Sequence, residues 1–140
     1  MIYKTILVPV DLSENNDLAV QTAGSLGDPK KTQIKLLHVI ETIQHITFEE
    51  IEAFYKKLQA HAEKILENWV KILKKKGFKV KIEIVYGKRG EEIVRFAEKN
   101  NVDLIILRSH RLDTTSSSES FGTLSHQVAL FSQCSVLLVR

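Results

Sequence analysis

The stretch DLIILRSHRLDTTSSSESFGT, from Asp103 to Thr123, contains a predicted strand, a long polar connection and the start of a predicted helix. Its apolar run, Leu104 to Leu107, is typical of a buried strand. The polar residues that follow, Arg108 to Ser120, form a longer connection than a compact domain usually keeps, unless the loop binds something or is disordered. If the sheet is parallel, this loop leaves the carboxyl end of a central strand, where ligands bind in open α/β sheets.

Outside this stretch the chain repeats the same alternation of strand and helix. The predicted strands are Ile2–Val10, Ile34–Ile40, Phe78–Val85, Asp103–Leu107 and Ser135–Arg140. The predicted helices run from the N-cap Ser13 to Gly27, from the capping box at Thr47 to Gly77, from Glu91 to Asn100 and from Thr123 to Phe131. This alternation predicts one α/β domain over residues 1–140, with a parallel sheet and helices on both faces.

Helical periodicity predicts which face of each helix packs against the sheet. The predicted inner face of the first helix is Leu18, Ala19, Thr22, Ala23 and Leu26. That of the last helix is Leu124, Val128, Ala129 and Phe131, and the long second helix includes Phe54 in its apolar stripe. His38, on the second strand, and Cys134, before the last strand, are expected in the core.

Length and composition are those of a small soluble domain. The chain has 140 residues, with 44% hydrophobic and 26% charged, which suits one domain with one core. No apolar run approaches the roughly 20 residues needed to span a bilayer, and the amino terminus does not resemble a signal peptide. With a single cysteine, Cys134, no internal disulfide and no thiolate metal cluster is expected. These features favour the cytoplasm.

The formal net charge of +3 does not by itself predict nucleic-acid binding. The basic residues are spread along the chain. Their densest cluster, Lys74 to Lys76, falls where a helix is predicted to end, and cations complement the helix dipole there. No aromatic platform is interleaved with them, as a single-strand binder would need.

Four segments, in this order, resemble successive elements of the universal stress protein family. They are ILVPVDLS at 6–13, LLHVIE at 36–41, YGKRGEEIVRFAEKNNVDLIIL at 86–107 and SHQVALFSQCSVLLVR at 125–140. The resemblance covers the whole chain. It departs from the family at Ser135, where relatives commonly carry a proline before the last strand.

The resemblance implies a three-layer α/β/α fold whose five parallel strands lie in the order 3-2-1-4-5, usually in a homodimer paired through the last strand. It also implies a regulatory binding domain in stress response, rather than an enzyme. One branch of the family binds ATP through a pattern of Gly, two residues, Gly, nine residues, then Gly and Ser or Thr; the other branch lacks the pattern. The nucleotide-binding positions implied here are Pro9, Val10, Asp11, Val39, Arg108, Ser109, His110, Arg111, Gly122, Thr123, Leu124 and Ser125.

The phosphate-binding pattern is altered in this chain. Arg108 and Arg111 stand where the family has its two leading glycines, and the spacer, residues 112–121, is one residue longer. Glycine allows positive φ and close approach of backbone N–H groups to phosphate, which arginine does not. Arginine, however, binds phosphate through its side chain, and Gly122-Thr123 precedes a helix N-terminus. Three outcomes stay open: ATP binding of the family type, with Mg²⁺ only alongside the nucleotide; an altered nucleotide or anion site; and no nucleotide site.

Other functions remain as alternatives. A dimeric stress protein without nucleotide would act through protein partners. A nucleotide hydrolase would need a carboxylate pair near the phosphates, for which Asp11 and Asp113 are the candidates, although Asp11 could equally close the turn before the next helix. A Ser109–His110 nucleophile lacks an evident orienting acid, and a flavin site lacks flanking aromatic residues.

Overall fold

The computed structural model describes residues 2–13, 16–42, 48–109 and 123–140, and in 48–50 the backbone alone. The strands are β1 (Thr5–Pro9), β2 (Gln33–Ile40), β3 (Lys79–Tyr86), β4 (Leu104–Arg108) and β5 (Ser135–Val139). The helices are α1 (Asp17–Leu26), α2 (Phe48–Lys75), α3 (Arg89–Lys99) and α4 (Leu124–Phe131). The predicted alternation is therefore confirmed, with boundaries that move by one to four residues.

The sheet is parallel and has the strand order β3-β2-β1-β4-β5, as expected. In register, Val8 of β1 lies opposite Leu36 of β2, and Ile6 of β1 lies opposite Leu104 of β4. The first part of the chain adds β2 and then β3 on one side of β1. The later part places β4 on the other side of β1 and adds β5 beyond it. This reversal opens a crevice at the carboxyl ends of β1 and β4, the topological switch point where ligands bind in this architecture.

Each face of the sheet has its own core cluster. Successive strand residues point to opposite faces, so Ile6 and Val8 pack with Leu66 and Leu73 of α2, whereas Leu7 packs with residues of α3 and α4. Helices therefore cover both faces, α1 and α2 on one and α3 and α4 on the other. The buried residues hold the carboxyl edge of the sheet rigid beneath the crevice.

The first helix differs from its sequence prediction. It begins at Asp17, after Asn16, rather than at a Ser13 cap, and its inward residues are Ala19, Val20 and Ala23. Leu18 and Leu26, predicted to be inside, are 41% and 45% exposed. The reason is close helix packing: a Cβ added at Gly24 would lie 3.4 Å from Leu73 Cδ2 of α2. A stripe of small residues fits this approach better than leucine does.

Three other predicted core residues lie at the surface. Phe54 is exposed, and its neighbour Tyr55 is buried instead, with its ring edge-on to Tyr86 at 5.6 Å. Ala129 is exposed, and Phe131 is 67% exposed where it lines a groove between α3 and α4. The periodicity predicted the inner side of α2 and α4, where Leu73 and Val128 are buried, but it extended that side to these exposed neighbours.

The long helix α2 ends in a Schellman motif. Phe78 N–H donates to Leu73 O at 3.2 Å and Gly77 N–H donates to Lys74 O at 2.9 Å. Gly77 has φ of +94°, a left-handed conformation that costs a non-glycine residue about 1–2 kcal/mol. Within the described ranges, no helix is both long enough and apolar enough to cross a membrane.

Candidate functional site

A small notch lies at the carboxyl ends of β1 and β4 and has a volume of about 50 Å³. The structure brings together in its wall six of the residues predicted from the sequence, namely Pro9, Val10, Asp11, Val39, Arg108 and Leu124. Leu37 and Ile93 complete its apolar floor. The predicted residues come from β1, β2, β4 and α4, which are distant in sequence and meet here because parallel strands end at one edge of the sheet.

Other predicted site residues do not line this notch. Ser109 is buried, and its N–H donates to Val139 O at 2.8 Å, which extends the pairing of β4 with β5. Thr123 occupies the N-cap position of α4, and its carbonyl accepts the Gln127 N–H at 3.1 Å. Ser125 is half-buried in the first turn of α4. His110, Arg111 and Gly122, with the hydrolase candidate Asp113, lie outside the described residues.

Asp11 is the centre of the turn that links β1 to α1. Its Oδ1 accepts the Ser13 N–H at 2.8 Å and the Asn16 side-chain amide at 2.7 Å. Asn16 also donates to Asp11 O at 2.9 Å and is itself buried. Partial burial raises the pKa of Asp11, but the hydrogen bonds from Ser13 and Asn16 and the positive charge of Arg89 outweigh it, so the pKa lies below its ordinary value of 3.8.

This pKa shift predicts a pH dependence of the turn's contribution to stability. Since the folded-state pKa of Asp11 is lowered, the contribution is complete above the unfolded-state pKa and disappears as pH falls through the folded-state value, below 3.8. We expect Asp11→Ala to lower the free energy of unfolding at pH 6. The difference in this free energy between the variant and wild type should disappear in strong acid. Urea unfolding followed by fluorescence of Trp69, the single tryptophan, measures this. A difference between the variant and wild type that is unchanged at acid pH would contradict the predicted pH dependence.

Arg108, the last residue of β4, carries an unsatisfied group into the notch wall. Its Nη1 donates to Val139 O at 3.3 Å. Its Nε is buried and has no hydrogen-bond partner among the described residues. A buried donor without an acceptor is costly.

Arg89 is a residue of the site that the sequence analysis missed. It is the first residue of α3 and lines the notch, and its charge acts on Asp11. The sequence did contain an indication: two basic residues, Lys88 and Arg89, stand between Gly87 and Gly90, directly after a predicted strand. Asn16 was missed as well, because only the folded turn shows that it holds Asp11 in place.

A larger groove, of about 770 Å³, lies between α3 and α4 and shares Arg89 and Leu124 with the notch. That volume is within the range of small-molecule sites. Its charged lining is mixed, with three basic and three acidic side chains: Lys88, Arg89, Arg95, Glu41, Glu91 and Glu98. The groove therefore has no strong preference for one sign of charge, except where Arg89 joins it to the notch.

The remaining candidate groups have structural environments. His38 is buried and its Nδ1 lies 2.9 Å from Val10 O, so the prediction of a satisfied core histidine is confirmed. Cys134 is half-buried against the α3–α4 core, and burial raises the pKa of its thiol, with a smaller effect of Asp103 in the same direction. In the part of the chain that the structure describes, no three His, Cys, Asp or Glu side chains are grouped to hold a metal ion.

The strand order, the helices on both faces and the switch-point notch define a doubly wound α/β domain of the Rossmann type. The model of the universal stress protein family matches residues 2–140, and the chain belongs to that family.

The chain is similar to named members of the family. Universal stress protein MJ0577 of Methanocaldococcus jannaschii is 34% identical to it, over 100% of this chain and 96% of that one. A solved structure of MJ0577 superposes with a TM-score of 0.81 at 38% identity, covering 99% of this chain and 96% of the other.

Two further solved structures share the fold and contain a nucleotide. The universal stress protein from Archaeoglobus fulgidus, in complex with dAMP, is 20% identical, with a TM-score of 0.72 over 100% of both chains. A universal stress protein family member from Arabidopsis thaliana, with AMP bound, is 18% identical, with a TM-score of 0.70 over 97% of this chain and 90% of the other.

Proposed function

We propose that this protein is a cytoplasmic regulatory domain of the stress response that binds an adenine nucleotide across the notch between β1 and β4 and the groove that adjoins it. The observation that carries the proposal is the notch itself, which lies at the switch point and is lined by Asp11, Val39 and Arg108. The AMP and dAMP held by two relatives of the same fold support an adenine nucleotide as the ligand.

The proposed site recognises phosphate through side chains rather than through a glycine cradle. Arg108 replaces the first glycine of the family pattern, and its buried Nε has no partner among the described residues. Charge-assisted hydrogen bonds from guanidinium to phosphate are strong and directional. Any Mg²⁺ would come with a nucleotide that has several phosphates, since Mg²⁺ is commonly held by substrate phosphates and one or two carboxylates.

We propose binding rather than turnover as the activity. Asp11 is the single carboxylate in the described lining of the notch, and its Oδ1 is already hydrogen-bonded by Ser13 and Asn16. A hydrolase would need a second carboxylate or a base directed at an attacking water. The residues present therefore favour a binding module that changes its interactions with partners when the nucleotide is bound.

Calorimetry with AMP, ATP and ATP plus Mg²⁺ tests the proposal, with CMP as the control for the base. We expect heat from the adenine nucleotides at concentrations up to about 1 mM, which corresponds to about −4 kcal/mol, and none from CMP. Chromatography of the denatured protein would reveal nucleotide carried through purification. No heat from AMP or ATP would overturn adenine-nucleotide binding, and steady phosphate release from ATP would favour the hydrolase.

A second candidate function is a dimer that acts through protein partners without nucleotide. It rests on β5, which lies at the end of the sheet and pairs with β4 alone among the described strands. Its middle residue, Leu137, is 36% exposed. Apolar edge strands tend to pair with another chain, so we propose an antiparallel homodimer through Val136–Val139, which is compatible with either function.

A further inference from the structure

Two arginines reach the notch from different parts of the fold. Arg108 comes from the end of β4, and Arg89 comes from the start of α3, which follows the edge strand β3. The phosphate-binding pattern of the family contains neither an arginine at 108 nor the position of Arg89. The pair is therefore a property of this chain's own residues.

Neither guanidinium has a carboxylate partner in the described structure. The described ion pairs join Lys56 to Glu52 and Arg95 to Glu92, and they leave Arg89 and Arg108 without one. Asp11 feels the charge of Arg89, yet its Oδ1 receives its hydrogen bonds from Ser13 and Asn16. Among the described residues, two positive charges and one negative charge thus line the notch.

The surroundings add further positive potential. Both α3, of 11 residues, and α4, of 8 residues, begin beside the notch, since their first residues Arg89 and Leu124 line it. The start of a helix carries a partial positive charge from its unpaired N–H groups.

The size of the notch selects the kind of group that enters it. A volume of about 50 Å³ holds a few waters, because one water needs about 10–15 Å³. A complete nucleotide does not fit, but a single phosphate group does. The adjoining groove of about 770 Å³, which also contains Arg89, has room for the rest of such a ligand.

We propose that Arg89 and Arg108 form a two-sided clamp for one phosphate group of the nucleotide. The clamp rests on the proposed function. It adds Arg89 to the site, a residue that comparison with the glycine pattern does not identify. The pair takes over the phosphate recognition that backbone N–H groups perform in the glycine pattern. It acts on the phosphate and not on the base, so it distinguishes AMP from adenosine.

The test compares AMP with adenosine by calorimetry on wild type, Arg89→Gln and Arg89→Lys. Loss of a charge-assisted hydrogen bond should weaken AMP binding about ten- to a hundredfold in Arg89→Gln, while adenosine binding stays the same. Arg89→Lys should recover part of the loss, because it keeps the charge but not the planar fork. Raised salt should reduce the wild-type affinity for AMP more than that for adenosine.

The matched control is Lys99→Gln, which removes one positive charge from the same helix. Lys99 lies in the last turn of α3 and is exposed, and it lines neither the notch nor the groove. We expect its AMP affinity to equal that of wild type. Trp69 fluorescence, compared across all variants, shows that each one is folded.

A second measurement keeps the clamp separate from nucleotide binding. Pyrophosphate is added while the arginine Nε–H resonances of the wild type are followed by NMR. Shifts at Arg89 and Arg108 support the clamp even if AMP gives no heat. In that outcome, only the proposal of adenine-nucleotide binding fails. The clamp is overturned if AMP binds but Arg89→Gln binds it as tightly as wild type, if AMP and adenosine are weakened equally, or if neither AMP nor pyrophosphate produces a response.

Discussion

Ile106→Ala is expected to lower the free energy of unfolding by about 2–5 kcal/mol. Ile106 is fully buried in the central strand β4, where it packs in the cluster under α1 and α2. Its truncation removes apolar contacts and leaves a cavity that the rigid sheet cannot close. Urea unfolding followed by Trp69 fluorescence, at one protein concentration, gives the change. The loss is a large part of the roughly 5–15 kcal/mol that stabilises a typical domain.

Ile72→Ala is the matched control for this prediction. Ile72 is the same residue type, but it lies on α2 and is 46% exposed. Its truncation should change the free energy of unfolding by less than about 1 kcal/mol, because little buried area is lost. Equal losses in the two variants would contradict the assignment of β4 to the core.

Leu137→Lys is expected to convert a dimer into a monomer at micromolar concentration, as measured by sedimentation. Leu137 is the exposed apolar residue in the middle of β5. In an antiparallel two-fold pairing of β5 strands, the two introduced ammonium groups would lie close together in the interface. Like charges across paired strands are destabilising.

The choice of position matters for this test. Leu138 is less suited to this test, since its side chain is partly buried against the core cluster under α3 and α4 and a lysine there would also disturb the fold. Leu26→Lys is the control, because Leu26 is a 45% exposed leucine on α1, away from β5. It should leave the mass in solution unchanged. A wild type that is monomeric at the same concentration would refute the dimer.

The elements of the fold were predictable because each depends on nearby residues. Leu104 to Leu107 is a short apolar run, and α2 has a long helical period that ends at Gly77. The strand order followed from the resemblance to the family, and the structure confirms it. The orientation of helices was less predictable: Leu18 and Phe131 satisfy a helical period but lie outside, because the depth of each helix depends on its neighbours.

The residues of the candidate site were predictable only where an apolar run in the sequence marks the end of a strand. Pro9, Val10, Val39 and Arg108 follow or end apolar runs and do meet at the notch. Arg89 follows a strand as well, and its place between two glycines was an indication, but its sequence neighbours do not show that it reaches the notch. Its role depends on α3 crossing over the sheet, which brings its first residue back to β1.

The sequence by itself determined the order of strands and helices along the chain and placed Arg108 where the family pattern has a glycine. Those properties are local, since backbone preferences and hydrophobic periods act over a few residues. Only the tertiary structure decided that Arg89 and Arg108 share one notch, that Asn16 holds Asp11, and that Leu137 rather than Leu138 is exposed. Each of these depends on residues far apart in the chain, and their meeting is set by how the parallel strands and their crossover helices pack.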